Sequence, residues 1–174
     1  MQNKNTQQTT KYLALTGVMA ALITLMTAYI FHIPVGVNGG YVHVGDSLIY
    51  IAATILPTPY ALAAAAIGGG LADLLTAPAW TIATIIIKML ITIPFTNKSS
   101  KIINARNVIA TVIAFVISSV CYSLADTIMF GTPFAILAGL GGSLVQSGGS
   151  AIVFIIFGLA LDKLNVKNKV TKVA

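Results

Sequence analysis

Four ionisable residues lie within or beside long apolar segments of the chain: Asp46, Asp73, Lys88 and Asp126. A charged side chain in the hydrocarbon core of a bilayer costs about 2.5 to 3.5 kcal/mol on insertion scales, so such residues mark functional sites by default. Three of the four fall in the stretch from Gly36 to Lys88, which begins as a polar, glycine-rich loop and continues as apolar helices. This stretch is therefore where we expect a ligand to bind.

The composition is that of a membrane protein. The chain has 174 residues, of which 57% are hydrophobic and 8% charged, and its mean hydropathy is +0.92, whereas soluble domains are about 25% charged. Several apolar runs approach the ~20 residues that a helix needs to cross a bilayer. No small-residue cleavage site follows the first run, so we expect it to be retained as a helix. The single cysteine, Cys121, excludes an internal disulfide and is expected to be a buried hydrophobe.

The basic residues predict the orientation of the chain. Nine of the ten lie before the first apolar run, in one loop near the middle of the chain, or in the C-terminal tail. They are Lys4, Lys11, Lys98, Lys101, Arg106, Lys163, Lys167, Lys169 and Lys172. Six spans would place these three segments on one side, which the positive-inside rule assigns to the cytoplasm. We therefore predict an all-α, polytopic membrane protein with six transmembrane helices, a single domain over residues 1–174 and both termini cytoplasmic. The net charge of +6 then reflects orientation, and no nucleic-acid partner is expected.

Short turns and one longer polar loop separate the predicted spans. Their approximate ranges are 12–31, 46–56, 60–76, 80–95, 108–130 and 134–161. The second is short for a span, and the many glycines of the sixth could thin or break that helix. The third is built from alanines and the triplet Gly68-Gly69-Gly70, so neighbouring helices can approach it closely on all sides.

The loop between the first two spans combines glycines with groups that can bind a ligand. It contains Asn38, Tyr41 and His43, and its glycines allow tight folding over a site. The loop is either a lid or a plain connection, and its YVHV sequence suits a short extended piece. Asp46 follows, either as a binding residue or as the cap of the second helix. Trp80 opens the fourth span, where it either stacks on a ligand or anchors the helix at the membrane interface.

Polar stripes mark the outer halves of the fifth and sixth spans. Such residues recur at three- and four-residue spacing, so they share one face of a helix. That face must point to the protein interior, because a polar stripe facing lipid is costly. The stripes are Ser119, Tyr122, Ser123 and Asp126 in the fifth span, and Ser143, Gln146, Ser147 and Ser150 in the sixth.

Together these residues predict a pocket that opens to the outside. Lys88 lies about 12 Å along the fourth helix from Trp80, where it either forms an ion pair with Asp73 or Asp126 or contacts the ligand. Three acids and one lysine leave the pocket formally negative by two, which favours a neutral or cationic solute. The aromatic side chains nearby suit a flat ring. The inner half has no comparable polar groups, which predicts a capture protein and not a channel.

The sequence contains no machinery for catalysis or for energy coupling. His32 and His43 with isolated aspartates form neither a metal-ligand set nor a catalytic triad, and there is no Walker motif. We therefore expect no enzymatic activity, no metal and no cofactor bound by this chain. A partner would supply the energy for transport, and a self-sufficient secondary transporter is the alternative.

The first span carries a face of small residues, formed by Ala14, Gly17, Ala20 and Ala21. Small residues spaced four apart let two helix backbones approach closely in lipid. This face either packs inside the protein or docks on a partner protein.

With these features the chain resembles the substrate-binding S components of energy-coupling-factor (ECF) vitamin transporters. The resemblance rests on six short spans, the small-residue face, and the sequences YVHVGDSLIYIAA, AIGGGLADLL and WTIATIIIK with its lysine; it covers essentially the whole chain. It implies a six-helix bundle in a prokaryotic cell membrane that binds a vitamin under its first outer loop. It also implies docking through the first helix on a transmembrane scaffold subunit (EcfT) that carries two cytoplasmic ATPases (EcfA and EcfA'), which use ATP.

The resemblance also implies where the vitamin binds. The site would be formed by the loop from Asn38 to Asp46, by Trp80 and by the outer parts of the fourth, fifth and sixth spans. The aromatic, net-negative pocket leads us to expect a small heteroaromatic vitamin or precursor such as hydroxymethylpyrimidine or a pyridoxine-like compound. Pantothenate is the nearest rival, because Lys88 could meet its carboxylate.

Overall fold

Helices dominate the structure, a computed structural model that describes residues 4–30, 32–34, 41–131 and 135–171, with residues 4 and 135–140 described by their backbone alone. The helices in these ranges are α1 (Lys4–Ala28), α2 (Asp46–Ile55), α3 (Thr58–Thr76), α4 (Thr81–Thr92), α5 (Ala105–Phe130), α6 (Ala135–Lys163) and α7 (Val166–Thr171). A 3-10 turn, Pro78–Trp80, precedes α4. In the loop after α1, strand β1 (Ile33–Pro34) pairs antiparallel with β2 (Tyr41–Val42), so the predicted extended piece is confirmed. Apart from that two-residue ladder, the described residues form helices and their connections, so the predicted all-α class is confirmed for them.

Within the part of the chain that the structure describes, four helical segments are long and apolar enough to cross a bilayer: Asn5–Ala28, Thr58–Thr76, Ala105–Phe130 and Gly141–Lys163. The segments Asp46–Ile55 and Pro78–Thr92 are apolar but shorter. At about 1.5 Å per residue, α2 reaches about 15 Å, half of a hydrocarbon core of about 30 Å. The helices thus show a multi-pass membrane protein, while six crossings and cytoplasmic termini stay predictions.

The helix boundaries agree with the predicted ones to within about one turn, with three differences. Helix α1 begins at Lys4, about two turns before the predicted start. Helix α6 is continuous from Ala135 to Lys163, so its glycines do not break it. The C-terminal tail contains α7, which the sequence pattern did not predict.

Helix α2 forms the buried centre of the bundle, and eight of its ten residues are buried. The ring of Tyr50 stacks on Phe95 at a centroid distance of 4.7 Å and meets Phe154 edge-on at 5.8 Å. Aromatic pairs prefer these two arrangements, so three segments far apart in sequence meet at one side chain. A helix largely surrounded by protein is apolar on most of its faces.

Two polar side chains fix the loop between α4 and α5. The amide nitrogen of Asn107 donates to the carbonyls of Thr96 at 3.1 Å and Ile102 at 2.9 Å, and its oxygen accepts from the N–H of Thr96 at 2.9 Å. The carboxylate of Asp162, at the end of α6, accepts from the N–H groups of Ile102 and Ile103 at 2.7 and 2.9 Å. These bonds satisfy backbone groups that the turn would otherwise leave unpaired, and they join the two halves of the bundle.

The glycine triplet of α3 packs against two different neighbours, as predicted. A Cβ atom at Gly68 would lie 2.7 Å from Cβ of Ile23 and 2.9 Å from the carbonyl oxygen of Ala20, both in α1. A Cβ atom at Gly69 would lie 2.7 Å from Cγ of Lys88 in α4. Helices α1 and α4 therefore approach α3 closely because these positions have no side chain.

Replacing Gly68 with alanine is expected to destabilise the bundle by about 1–3 kcal/mol, the usual cost of overpacking a core. The added methyl group would meet the backbone of α1, which cannot move without displacing the whole helix. Thermal unfolding of the purified protein in detergent would show this as a lower midpoint.

Gly148→Ala in α6 is the matched control, since a Cβ atom there meets nothing within 4 Å. Alanine is also the better helix former, so the control should be as stable as the wild type or more stable. A Gly68→Ala protein with an unchanged midpoint would contradict the close approach of α1 to α3.

Candidate functional site

The ionisable residues predicted from the sequence lie at one end of the helix bundle. Because successive helices run in opposite directions, the C-terminal ends of α1, α3 and α5 lie beside the N-terminal ends of α2, α4 and α6. The loop with β1 and β2 lies there too. We call this the outer end, following the orientation predicted from the basic residues, and the opposite end, which holds α7, the inner end.

Helices α3 and α4 face each other with complementary side chains. Gly69 and Asp73 lie four residues apart on α3, and Thr84 and Lys88 lie four residues apart on α4, so each pair shares one helix face. Gly69 leaves room for the aliphatic part of Lys88, and Asp73 accepts a hydrogen bond from Thr84. The spacing of these two pairs therefore brings a carboxylate and an ammonium group into the same region.

Lys88 forms a buried ion pair with Asp46. Its Nζ atom lies 2.6 Å from Oδ1 of Asp46, and both residues have 0% exposure. The second carboxylate oxygen of Asp46 accepts a hydrogen bond from Nε2 of Gln146 at 3.1 Å. Three helices, α2, α4 and α6, are therefore joined through one carboxylate.

This ion pair decides between alternatives that the sequence left open. Asp46 bonds Lys88 and does not cap α2, whose N-cap residue is Gly45 and which has no side-chain cap hydrogen bond. The structure pairs Lys88 with Asp46, so the expectation of Asp73 or Asp126 as its partner was wrong. The reason is that α2 is buried in the centre of the bundle, which brings its first residue to the level of Lys88.

A second chain of hydrogen bonds runs through Asp73. Its two carboxylate oxygens accept from the hydroxyls of Tyr41 and Thr84. Oγ1 of Thr84 lies 3.0 Å from the phenol oxygen of Tyr122. Because Thr84 gives its one proton to Asp73, Tyr122 is the donor in that bond. Burial and the negative charge of Asp73 raise the pKa of Tyr41, so its phenol stays protonated and able to donate.

The ring of Tyr122 joins the two groups of residues. The Nζ atom of Lys88 lies 5.5 Å from the ring centroid, within the range of a cation–π contact. On the outer side, the ring of Trp80 lies 5.9 Å from Tyr122 and 5.6 Å from Phe130, centroid to centroid. We call the bonded set the polar cluster; its members are Tyr41, Asp46, Asp73, Thr84, Lys88, Tyr122 and Gln146.

His43 is buried beside the polar cluster and is uncharged at neutral pH. The N–H of Gly45 donates to Nδ1 of His43 at 2.9 Å, so the proton of the neutral ring is on Nε2. Burial, followed by the positive charge of Lys88, lowers the pKa of His43 to about 3. His32, which the sequence pattern did not indicate as a binding residue, stacks on Tyr41 at a centroid distance of 3.9 Å.

The structure brings together eight of the ten predicted binding residues. They are Tyr41, His43, Asp46, Asp73, Trp80, Lys88, Tyr122 and Gln146. Asp126 is half-buried one helical turn beyond Tyr122. Asn38 lies outside the described residues. Thr84 was missed; its one sequence signal was the four-residue spacing from Lys88.

The polar stripes of α5 and α6 face the protein interior, as predicted. Ser119 and Ser123 in α5 and Gln146, Ser147 and Ser150 in α6 are all buried. The hydroxyls of Ser119, Ser147 and Ser150 have no hydrogen-bond partner among the described residues. Buried polar atoms in proteins are normally bonded, to protein or to ordered water, so these three hydroxyls are the exceptions in the two stripes.

The small-residue face of α1 is divided between two environments. Ala20 is 3% exposed and packs against α3, so the internal alternative holds for this residue. Ala14, Gly17 and Ala21 are exposed, and a Cβ atom at Gly17 would meet nothing within 4 Å. These three residues form an open surface on α1, which we call the small-residue surface.

The sequence was also compared with known proteins. The family model described as "ECF-type riboflavin transporter, S component" matches residues 7–163. No curated protein sequence matches the chain. Since the family match extends from α1 to the last turn of α6, the chain belongs to this family of transporter S components, and it is the membrane-embedded, substrate-binding subunit of an ECF transporter.

Proposed function

We propose that this subunit captures a flat, uncharged heteroaromatic vitamin at the outer end of its bundle and delivers it after docking on a transmembrane scaffold subunit. The observation that carries the proposal is the buried polar cluster, assembled from the outer loop and five helices. In this proposal the chain binds no cofactor, and the two cytoplasmic ATPases of the complex hydrolyse ATP. The subunit would act in a prokaryotic cell membrane, with its basic inner end in the cytoplasm.

The location of the polar cluster supports capture from outside. Its members lie where the outer loop meets the outer ends of the helices. The basic loop between α4 and α5 and the lysines of α6 and α7 lie at the opposite end, which the positive-inside rule places in the cytoplasm. A solute that bonds to the cluster would therefore reach it from the outer side.

The charges of the polar cluster support an uncharged substrate. The ammonium group of Lys88 is engaged by Asp46 at 2.6 Å, so the two charges compensate each other. Asp73 is bonded by neutral hydroxyls alone among the contacts described above. A carboxylate ligand such as pantothenate would have to displace Asp46 and would meet the charge of Asp73, and both effects oppose binding.

Aromatic rings and free hydroxyls support a ring compound with hydroxyl groups. Tyr122 and Trp80 offer ring faces and edges at the outer end, while Ser119, Ser147 and Ser150 supply hydroxyls without partners among the described residues. Riboflavin, which the family description names, combines a flat ring system with a hydroxylated chain. It is our first candidate. Hydroxymethylpyrimidine and pyridoxine-like compounds, the vitamin or precursor expected from the sequence, are smaller members of the same chemical class.

Equilibrium binding to the purified protein tests the substrate class. Riboflavin, hydroxymethylpyrimidine, pyridoxine and pantothenate would be titrated separately, and we expect saturable binding of at least one ring compound and none of pantothenate. Tyr122→Leu should weaken that binding by up to about ten-fold, because aromatic pairing contributes about 0.5–1.5 kcal/mol. Tyr60→Leu, which removes a tyrosine that pairs with Tyr12 away from the polar cluster, is the control. Tight binding of pantothenate without any response to the ring compounds would contradict the proposal.

The charge balance of the polar cluster can be tested by unfolding. Lys88→Met should lower the free energy of unfolding by about 3–5 kcal/mol, since it leaves the carboxylate of Asp46 buried without a counter-charge. Adding Asp46→Asn should restore most of this loss, because the remaining amide is neutral. Denaturant titration in detergent measures both, and Lys163→Met, which changes an exposed lysine, is the control. A double variant as unstable as Lys88→Met would show that Asp46 is not the charge that Lys88 balances.

The small-residue surface of α1 supports docking on the scaffold subunit. It is open, and its glycine and alanines would let a partner helix approach the backbone of α1. Ala20 lies apart from this surface because it packs on α3. The docking residues in this proposal are therefore Ala14, Gly17 and Ala21.

Gly17→Trp and Ala21→Trp should abolish co-purification with the scaffold subunit and the ATPases while leaving vitamin affinity within about two-fold of the wild type. The bulky ring would keep a partner helix away from the surface, but it points away from the polar cluster. Val112→Trp is the matched control, because Val112 is a 61% exposed residue on α5. Retention of the scaffold by both variants would exclude this surface, and loss of vitamin affinity would show that it packs internally.

A further inference from the structure

An apolar groove runs along α2 to the inner end of the bundle, and no member of the polar cluster lines it. Apolar side chains of α1, α2, α6 and α7 line it, including Leu15, Leu48 and Val170, and its volume is about 240 Å³. A cavity of about 150 Å³ holds a benzene molecule, so this groove has room for a stretch of hydrocarbon chain. Its lining residues Leu22 and Phe157 are 43% and 53% exposed. The groove therefore opens to the outside of the bundle, where a membrane protein meets lipid tails.

Lys167 is a buried residue of α7 and a sequence neighbour of two residues that line this groove. Val166 and Val170 line the groove, and Lys167, one and three residues away from them, is 6% exposed. Its ammonium group is buried without a hydrogen-bond partner among the described residues. Burial lowers the pKa of Lys167, and the nearby charge of Asp162 acts in the opposite direction. The carboxylate of Asp162 accepts from two backbone N–H groups and forms no hydrogen bond with the ammonium group of Lys167, which therefore has donors left for another anion.

We propose that this groove binds an acyl chain of an anionic phospholipid whose phosphate group contacts Lys167. A phospholipid has the two features that the site requires, an apolar chain and an anionic head next to it. Lys163 and Lys169 lie nearby in sequence and are exposed, so the inner end also attracts anionic headgroups from the membrane surface. The bound lipid would hold α7 against α1, α2 and α6. This inference does not depend on which vitamin the outer end binds.

A bound lipid accounts for two features of α7 that the sequence pattern did not predict. The helix has six residues, too few to be stable by itself. It is placed so that two of its valines line the groove. It also buries a lysine, which is costly unless an anion accompanies it. A phosphate at Lys167 and a chain against Val166 and Val170 would stabilise both.

The test uses the full-length purified protein in detergent, delipidated and then mixed with dioleoylphosphatidylglycerol or dioleoylphosphatidylcholine. Native mass spectrometry counts the bound lipid, and thermal unfolding measures the stabilisation. We expect one phosphatidylglycerol to be retained with at least about five-fold preference over phosphatidylcholine, the contribution of one lysine to anionic-lipid binding. Glycerol 3-phosphate alone, which has the phosphate but no chain, should not stabilise the protein.

Variants separate the contact with the headgroup from the contact with the chain. Lys167→Gln should abolish the preference for phosphatidylglycerol, and Lys167→Arg should keep it. Lys169→Gln, the same change at an exposed position of the same helix, is the matched control and should behave as the wild type. Val170→Trp should fill the groove and reduce retention of both lipids, and Val166→Phe provides a second, smaller obstruction if the tryptophan variant does not fold.

Three results would overturn the proposal. Equal loss of preference in Lys167→Gln and Lys169→Gln would reduce the effect to surface charge. Unchanged lipid retention in a folded Val170→Trp or Val166→Phe protein would exclude the groove. The third result combines two observations: the wild type binds no lipid specifically, and Lys167→Gln and Val170→Trp no longer co-purify with the scaffold subunit. Together they would show that protein and not lipid covers this surface.

Discussion

A charge buried among apolar helices must be balanced where it lies, and this constraint organises the outer half of the bundle. Lys88 is fully buried in α4, and its ammonium group is paired with Asp46 at 2.6 Å. Asp46 in turn accepts a hydrogen bond from Gln146. Because removing one partner of such a pair leaves an uncompensated charge, the relative positions of α2, α4 and α6 are tied to one another. The loop before α2 must therefore end at a point where Asp46 can reach both Lys88 and Gln146.

The backbone meets this requirement through two features. Gly69 lets α4 approach α3 until the aliphatic part of Lys88 rests against the helix backbone. Helix α2 is short, so that the chain before it reaches into the bundle and His43 and Asp46 are buried together. Irregular backbone at this depth is tolerated only where protein surrounds it or its polar groups are bonded. The ladder between β1 and β2 and the bond from Gly45 to His43 meet part of that need.

The sequence predicted which residues gather at the outer end, but not how they pair. Polar and ionisable residues stand out against apolar helices, and the three- and four-residue spacing of the stripes in α5 and α6 gave their inward direction correctly. Pairing depends on how far each helix is shifted along its axis relative to its neighbours, and a sequence pattern does not contain this information. For this reason the predicted partner of Lys88 was wrong. Thr84 was missed because one threonine in an apolar helix normally bonds its own backbone, as Thr92 does. The apolar groove could not be predicted from the sequence for the same reason, since side chains of four helices form it.

The two ends of the molecule differ in a way that limits how a solute can leave it. Below the polar cluster, the bundle is closed by the stacked rings of Tyr50, Phe95 and Phe154, and each of these residues is buried. Protein cores are packed as densely as organic crystals, so a vitamin bound at the polar cluster, as proposed, would meet a packed region on its inner side. In the proposed function, release on the inner side then requires the helices to separate or the whole subunit to move relative to its partner. Under the proposed function, either movement needs work that a partner subunit would supply.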